Sequence, residues 1–343
     1  MRLTRIVASA PGKLVLLGEY AVLEGAPALV LAVDHRATAK LVAHRDDAWE
    51  IVSPTLDMQA RFRFDGNAPR WLGSAPAELE WIATLLARFP PARHLPPCRI
   101  ELDSAAFHVD HGDARVKLGL GSSAALSVAL LGALHAAGGL PPPTLAACIA
   151  AHRAIQHGHG SGIDIGAALG GGLTVFQLEG DTPRVNPAQL PARLHWCCVY
   201  SGRPASTRDL LVQVARWRAH APGAFAQHIH ELATISSRGI DAIAANDADA
   251  FLSCLHEYAQ ALAAFGEAAG ADIASREHRA LGALAASRGC VYKSCGAGGG
   301  DVGITFAVED GRVRDFAARA AADGFRVIGL REDRRGLDIV TDV

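Results

Sequence analysis

The sequence has almost no lysine. In 343 residues only Lys13, Lys40, Lys117 and Lys293 carry a primary ammonium, and three of the four lie in or beside glycine-rich turns. In a chain that otherwise uses arginine, a lysine marks a place where a compact, mobile ammonium is needed and a rigid guanidinium fork would not fit. A one-signed charge field is also missing. The net charge is −2 and the arginines are scattered, which excludes the basic stripe that holds nucleic acid. The seven cysteines (Cys98, Cys148, Cys197, Cys198, Cys254, Cys290 and Cys295) are odd in number and lack paired spacing. A disulfide framework or zinc site is therefore not expected, and a reducing compartment, the cytoplasm, is. No long apolar run is present either. The stretch from Leu14 to Val33 is interrupted by Glu19, Glu24, Gly25 and Pro27, so neither a signal segment nor a membrane span is expected.

What is present is a soluble globular composition, half apolar and 20% charged, long enough for about two domains. Patterning predicts strands at Ile6 to Ala8, Leu14 to Leu17, Ala28 to Val33 and Ala37 to Ala43, then a helix near Ala77 to Arg88 and a strand near Arg99 to Leu102. A loop over Asp103 to Lys117 leads into helices at Ser122 to Ala136 and Pro143 to His157, the second started by a proline run before Thr144. After a turn at His157 to Gly162, Leu173 to Leu178 reads as a strand, and the polar, proline-bearing stretch Glu179 to Pro191 as a boundary. Beyond it come a strand at His195 to Tyr200, a helical stretch Thr207 to Ser287 broken near Ala221 to Gly223 and at Asn246-Asp247, and a final alternation of strand, glycine-rich loop, strand, helix and strand. This is an α+β chain in two parts, 1–188 and 189–343.

The loops carry the chemistry. A P-loop needs G-x-x-x-x-G-K-[ST], but Gly12-Lys13 is followed by leucine. The G-x-G-x-x-G match at Gly298 to Gly303 runs into Ile304-Thr305-Phe306, a strand and not the helix that a dinucleotide fold requires. Gly119-Leu120-Gly121-Ser122-Ser123-Ala124 differs, because it opens a helix. Free amides, the positive helix end and two hydroxyls converge there, which suits a polyphosphate, and a serine hydroxyl could also reach Mg²⁺. Read alone, the same residues also make an ordinary serine cap after a glycine turn.

Three segments do not stand alone: Ala10-Pro11-Gly12-Lys13 through Gly18-Glu19-Tyr20, the Gly119 to Ala124 loop, and Ser294 to Asp301. Their order and separation resemble the three motifs of the GHMP kinase superfamily, over nearly the whole chain. The resemblance implies an N-terminal domain like ribosomal protein S5, a ferredoxin-like C-terminal domain, and a phosphoryl-transfer site between them that binds ATP and Mg²⁺. Gly18 to Val30, the Lys117 before the glycine loop, Ala151 to Gly172, Ser201 to Thr207 and Gly296 to Asp301 are most similar to the phosphomevalonate kinase branch. That likeness implies 5-phosphomevalonate as acceptor, mevalonate 5-diphosphate and ADP as products, and a monomer or homodimer without a nucleic-acid or membrane partner. It carries over Asp164 and Lys13 as catalytic. Lys117, Gly119, Leu120, Gly121, Ser122, Ser123 and Ala124 carry over as nucleotide-binding, with Ser123 toward the metal. Lys13, Glu19, Tyr20, His152, Ser161, Gly162, Ser206, Ala297 and Gly298 carry over as substrate-binding. Mevalonate kinases carry a magnesium-binding glutamate where this chain has Arg153.

The chemistry bears on the choice of acceptor. An alcohol must lose a proton, whereas a phosphate monoester, with a second pKa near about 6, is already mostly ionised at neutral pH. Its obstacle is repulsion between two polyanions, which cations between them must offset. Lys13, Lys117 and Lys293, with His152 and nearby arginines, are the candidates. Asp164 then orients Lys13 and the acceptor oxygen; the alternative is a helix cap for Ile165 to Leu169. Asp301 reads equally as a metal or substrate contact or as a turn residue. His108, His111, His152, His157 and His159 match no metal-binding spacing and are expected to be loop histidines. A mevalonate kinase and a non-catalytic nucleotide-binding sensor remain the competing readings.

Overall fold

The structure, a computed structural model, describes residues 5–43, 46–74, 76–111, 114–156, 158, 160–180 and 182–342. It opens with two long antiparallel strands, β1 (Arg5–Leu17) and β2 (Ala28–Ala43). Patterning divides each into two short strands. The structure joins them, because register shifts between Pro11 and Gly12 and between Val15 and Leu17 absorb the residues that break the alternation. Gly12 is needed at the first shift, where a Cβ would stand 2.9 Å from the Leu120 carbonyl oxygen and 2.9 Å from the Phe107 ring.

Three strands that the sequence reading left unassigned come next: β3 (Trp49–Ser53), β4 (Met58–Asp65) and β5 (Ala68–Trp71). Their inward alternation is real, with Trp49, Ile51, Ala60 and Phe62 buried. The expected helix and strand follow as α1 (Glu80–Ala87) and β6 (Cys98–Asp103). The predicted loop before Lys117 contains a hairpin, β7 (His108–His111) and β8 (Ala114–Lys117), whose one β-branched pair, Val109 opposite Val116, is too little alternation to mark it. Helices α2 (Ser122–Ala137), α3 (Leu145–Ile155) and α4 (Ile163–Gly170) come next, and α2 and α4 pack on β1 and β2. β9 (Leu173–Glu179) and β10 (Thr182–Ala188) close this part, and β10 corrects the expected linker. Its Pro183 and Pro187 are tolerated because β10 is an edge strand paired only with β9. The sheet runs β10-β9-β2-β6-β3-β4-β5, with β1 also on β2.

β11 (His195–Tyr200) begins a second sheet. Four helices follow: α5 (Thr207–His220), α6 (Pro222–Ala244), α7 (Ala248–Ala269) and α8 (Arg276–Ser287), with breaks at the two expected places and a third, at 270–275, that the sequence reading did not give. Asp247 caps α7, its carboxylate accepting from the Ala250 amide at 3.0 Å. Phe251, Leu255, Tyr258, Leu262 and Phe265 form one buried stripe along α7, spaced four and three residues apart. β12 (Val291–Ser294), β13 (Val302–Ala307), α9 (Asp310–Ala322) and β14 (Arg326–Ile328) complete an antiparallel sheet of order β12-β13-β11-β14. The main core runs continuously from β1, β2 and α2 to α6, α7 and β13, and a smaller one lies under α8 and α9. This is the α+β architecture that the motifs imply. Among the described residues no helix is long and apolar enough to cross a membrane.

The last strand, β15 (Asp338–Asp342), returns to pair with β1 in the first sheet. A buried ion pair pins the segment before it. The Arg36 guanidinium contacts Asp333 and donates to the Ser9 carbonyl at 2.7 Å and the Gly336 carbonyl at 2.6 Å, with side-chain exposures of 11% and 3% for Arg36 and Asp333. Removing Arg36 leaves the buried Asp333 with the Arg335 amide at 2.9 Å and the exposed Arg335 guanidinium at 3.9 Å, too distant and too hydrated to replace it. Arg36→Met is therefore expected to lower unfolding free energy by about 3–5 kcal/mol in urea titration. Arg63→Met, whose pair with Asp47 lies in solvent, is expected to leave the midpoint unchanged.

Candidate active site

Two glycines with positive φ, Gly119 (70°) and Gly121 (80°), turn the chain into α2. No side chain caps this helix, so the amides of its first turn are left for a ligand or water. The loop is fixed to β1 by the Lys13 amide, which donates to the Leu120 carbonyl at 2.9 Å. The two serines part company here. Ser122 is buried, whereas Ser123 is exposed and its hydroxyl lies 3.5 Å from His152 Nε2.

Lys13 comes from the middle of β1 and is 9% exposed, with its ammonium 3.5 Å from Asp164 Oδ1. Asp164 sits in the first turn of α4, behind Gly162 in the left-handed region. It is therefore inside the helix, and the alternative reading of it as the cap is corrected; Ser161 instead accepts from the Ile163 amide at 3.3 Å. A Cβ on Gly121 would lie 3.3 Å from the Lys13 side chain, and one on Gly296 would lie 3.7 Å from its Nζ. All three motifs thus meet around one ammonium.

The third motif links β12 to β13. Asp301, at φ 57°, donates its amide to the Arg203 carbonyl at 2.7 Å and accepts from the Ala205 amide at 3.2 Å. Its other carboxylate oxygen lies 2.2 Å from where a Gly119 Cβ would stand, so the aspartate closes directly on the glycine loop. Burial raises the Asp301 carboxyl above the ordinary range, opposed by the Ala205 amide, Lys13 and Lys117. Loss of surrounding water lowers the Lys117 ammonium, opposed by Asp301 and Asp164 and assisted by Lys13. His152 is buried, which lowers its imidazole, with Asp164 opposing.

Other predicted residues have different surroundings. Lys293 is fully buried and ion-paired to Glu19, which corrects its reading as a phosphate-facing cation. Glu19 also accepts from the Gly296 amide at 3.3 Å, and burial raises its carboxyl, with Lys293 opposing. The Tyr20 hydroxyl donates to the Ala297 carbonyl at 2.7 Å. Ser206 caps α5, accepting from the Asp209 amide at 3.3 Å. Gly298 has no room for a side chain, since a Cβ would meet the Ile273 carbonyl at 2.5 Å. The expected loop histidines are corrected where the chain is described, with His108 and His111 on β7 and His152 on α3; His108 Nδ1 lies 3.1 Å from the Ser104 carbonyl, and His157 and His159 lie outside the described residues. Among the described residues no group of three or more His, Cys, Asp or Glu could hold a metal by itself. The side-chain donors beside the glycine loop, the Ser123 hydroxyl and the Asp301 carboxylate, are hard oxygens, the ligand type that magnesium takes.

Sequence reasoning missed the groups behind the third motif. His278 Nε2 donates to the Gly300 carbonyl at 2.8 Å, and its Nδ1 lies 2.7 Å from the Tyr292 hydroxyl. Tyr258 donates to the Glu19 carbonyl at 2.9 Å. These side chains sit in helical and strand patterns that read as core, so no local signal marks them.

Residues 82–172 match the N-terminal domain of the GHMP kinases. The chain is 30% identical to a phosphomevalonate kinase of Streptomyces sp. (strain CL190) over 347 residues, 87% of this chain and 89% of that one. It is 25% identical to a mevalonate kinase of Pyrococcus horikoshii over 349 residues, 97% of each. Its fold matches the Streptococcus pneumoniae phosphomevalonate kinase solved with phosphomevalonate and AMPPNP, with a TM-score of 0.77 at 19% identity, covering 95% of this chain and 99% of that one.

His152 generates a pH prediction. Its folded pKa lies below the ordinary 6.5, so its contribution to stability is present above that value and lost as pH falls through the folded pKa. Urea midpoints between pH 7 and pH 5 should fall more steeply in the wild type than in His152→Gln. Parallel slopes would show that His152 is not held neutral.

Proposed function

The chain belongs to the GHMP kinase family, and on that premise we propose that it transfers the γ-phosphoryl group of ATP to 5-phosphomevalonate, giving mevalonate 5-diphosphate and ADP. The observation that carries this reading is the Lys13 ammonium beside Asp164, Gly121 and Gly296, with Lys117 electrostatically linked to the same group. Two cations at one helix start are what an in-line transfer between two polyanions requires.

In this reading the first-turn amides of α2, from Gly119 to Ala124, cradle the triphosphate, and Lys117 lies against it. Ser123 and Asp301 are the side chains that would hold magnesium, which when bound neutralises charge on the transferring phosphate. Lys13 bridges donor and acceptor phosphates. Asp164 orients Lys13 and so fixes the line of approach. The acceptor oxygen is already ionised, so the step needs no strong base: the acceptor oxygen bonds to the γ-phosphorus, the bond to the β–γ bridging oxygen breaks, and ADP leaves. His152, Ser161, Gly162, Ala297 and Gly298 line the acceptor side. The exposed Ser123 hydroxyl supports its assignment to the metal over the buried Ser122.

The mevalonate kinase reading draws on relatives such as the Pyrococcus horikoshii enzyme. There the acceptor is a hydroxyl, and Asp164 would have to take its proton. A coupled ADP-release assay with mevalonate, 5-phosphomevalonate, homoserine and galactose separates these readings. We expect turnover with 5-phosphomevalonate and none detectable with mevalonate. A higher kcat/KM for mevalonate would overturn the proposal, and nucleotide binding without turnover of any acceptor would favour a sensor.

The same assay on variants separates electrostatics from base catalysis. Lys13→Met is expected to be at least as damaging as Asp164→Asn, and the double variant to fall well short of the product of the two losses, because the residues act as a unit. A general base is typically worth about 10²- to 10⁴-fold. An Asp164→Asn enzyme far slower than Lys13→Met, and relieved as pH rises, would indicate an alcohol acceptor.

A further inference from the structure

Among the described residues, four that are not glycine have positive φ: Tyr20, Asp57, Asn246 and Asp301. Asp and Asn tolerate the left-handed region; a tyrosine there is an outlier. Tyr20 has φ 61° and ψ −50°, and the Ala21 amide donates to the Glu19 carbonyl at 2.7 Å across it. Together these define a strained γ-turn. Strained backbone persists only where its surroundings over-determine it. Here they do. The Glu19 carbonyl also accepts from Tyr258 at 2.9 Å, and the Tyr20 ring packs on Phe265 with centroids 4.9 Å apart.

The turn aims two adjacent side chains at two adjacent residues of the third motif. Glu19 Oε1 accepts from the Gly296 amide at 3.3 Å, and the Tyr20 hydroxyl donates to the Ala297 carbonyl at 2.7 Å. Lys293 donates to the same Glu19 oxygen that the Gly296 amide meets, and also to the Ser294 carbonyl at 2.6 Å, and so holds the carboxylate in place. Glu19 and Tyr20 are 5% and 7% exposed, and each has a polar atom committed to the loop backbone. Gly296 in turn borders the Lys13 ammonium.

We infer that Glu19 and Tyr20 are positioning residues, which through the strained turn grip the Gly296 amide and the Ala297 carbonyl and so set the glycine-rich loop against Lys13. They act through the loop, as distinct from the substrate contacts that the family resemblance implies for them. The kinetic part of the test rests on the proposed function; the exchange part does not.

Tyr20→Phe keeps the ring and removes only the bond to Ala297. It is expected to raise the acceptor KM about fivefold to tenfold, the worth of one hydrogen bond, with kcat, the ATP KM and the melting temperature little changed. Two double variants isolate Glu19 without leaving Lys293 unpaired. Glu19→Gln with Lys293→Met keeps an acceptor for the Gly296 amide, and its acceptor KM should rise less than that of the second variant. Glu19→Leu with Lys293→Met keeps the bulk and loses the acceptor, and its KM should rise at least as much as in Tyr20→Phe. Hydrogen exchange of the 295–301 peptide should quicken in Tyr20→Phe, and more in the Leu/Met variant than in the Gln/Met variant, since both double variants lose the Lys293 bond to Ser294. Unchanged exchange and KM in Tyr20→Phe would overturn the inference. So would equal losses in the two double variants, since a direct substrate contact through the carboxylate would lose both alike. Should no acceptor be turned over, the functional reading fails and the exchange pattern alone decides this one. Should the double variants not fold, Tyr20→Phe decides it.

Discussion

The site depends on where the Lys13 ammonium is held. β1 delivers it, Gly121 and Gly296 leave room for it, and Asp164 supplies a counter-charge at 3.5 Å. Asp164 is 34% exposed, so water reaches this pair and screens its attraction. Such a pair is a weak source of stability. It leaves the ammonium able to turn toward an incoming anion, the freedom that the proposed phosphate-bridging role needs.

The Glu19–Lys293 pair shows the opposite use of the same two functional groups. Its side chains are 4% and 0% exposed, so both charges have lost their water. A buried pair gains little over an apolar one in stability, because desolvation offsets the attraction. What it provides is direction. Lys293 fixes the carboxylate and the carboxylate fixes the Gly296 amide, so the loop beside Lys13 is held by buried groups. Asp301 continues the same logic at the other end of the loop, gripped by Arg203 and Ala205 while its free oxygen lies on Gly119.

The scarcity of lysine gains a physical account from these contacts. Lys293 meets Glu19 and the Val15 and Ser294 carbonyls, and Lys13 sits beside Asp164, Gly121 and Gly296, surroundings that suit a compact ammonium. Lys117 is the second cation of the site, and Lys40 is an ordinary cross-strand partner of Glu101 at 2.7 Å. Arginine serves where several acceptors must be met at once, as Arg36 does for Asp333, Ser9 and Gly336.

The sequence by itself determined most of the helices, the strands within β1, β2, β6, β9 and β11, and the three glycine-bearing motifs with Lys13, Lys117 and Asp164; it left β3, β4 and β5 unread although their residues alternate. Local rules suffice for these: period, capping, and the need for positive φ at Gly119 and Gly121. It did not determine the hairpin ending at Lys117 or the edge strand Thr182–Ala188, whose polar, proline-bearing residues become strands only through the partner beside them. Nor could it assign Lys293, which sits beside a glycine-rich turn as Lys13 does. Which of the two stays partly exposed beside Asp164 and which is sealed against Glu19 is decided by packing between residues 274 positions apart. Tyr20, Tyr258 and His278 carry no local mark of their positions for the same reason. Burial and hydrogen-bond partnership belong to the pair, and only the folded chain brings the pair together.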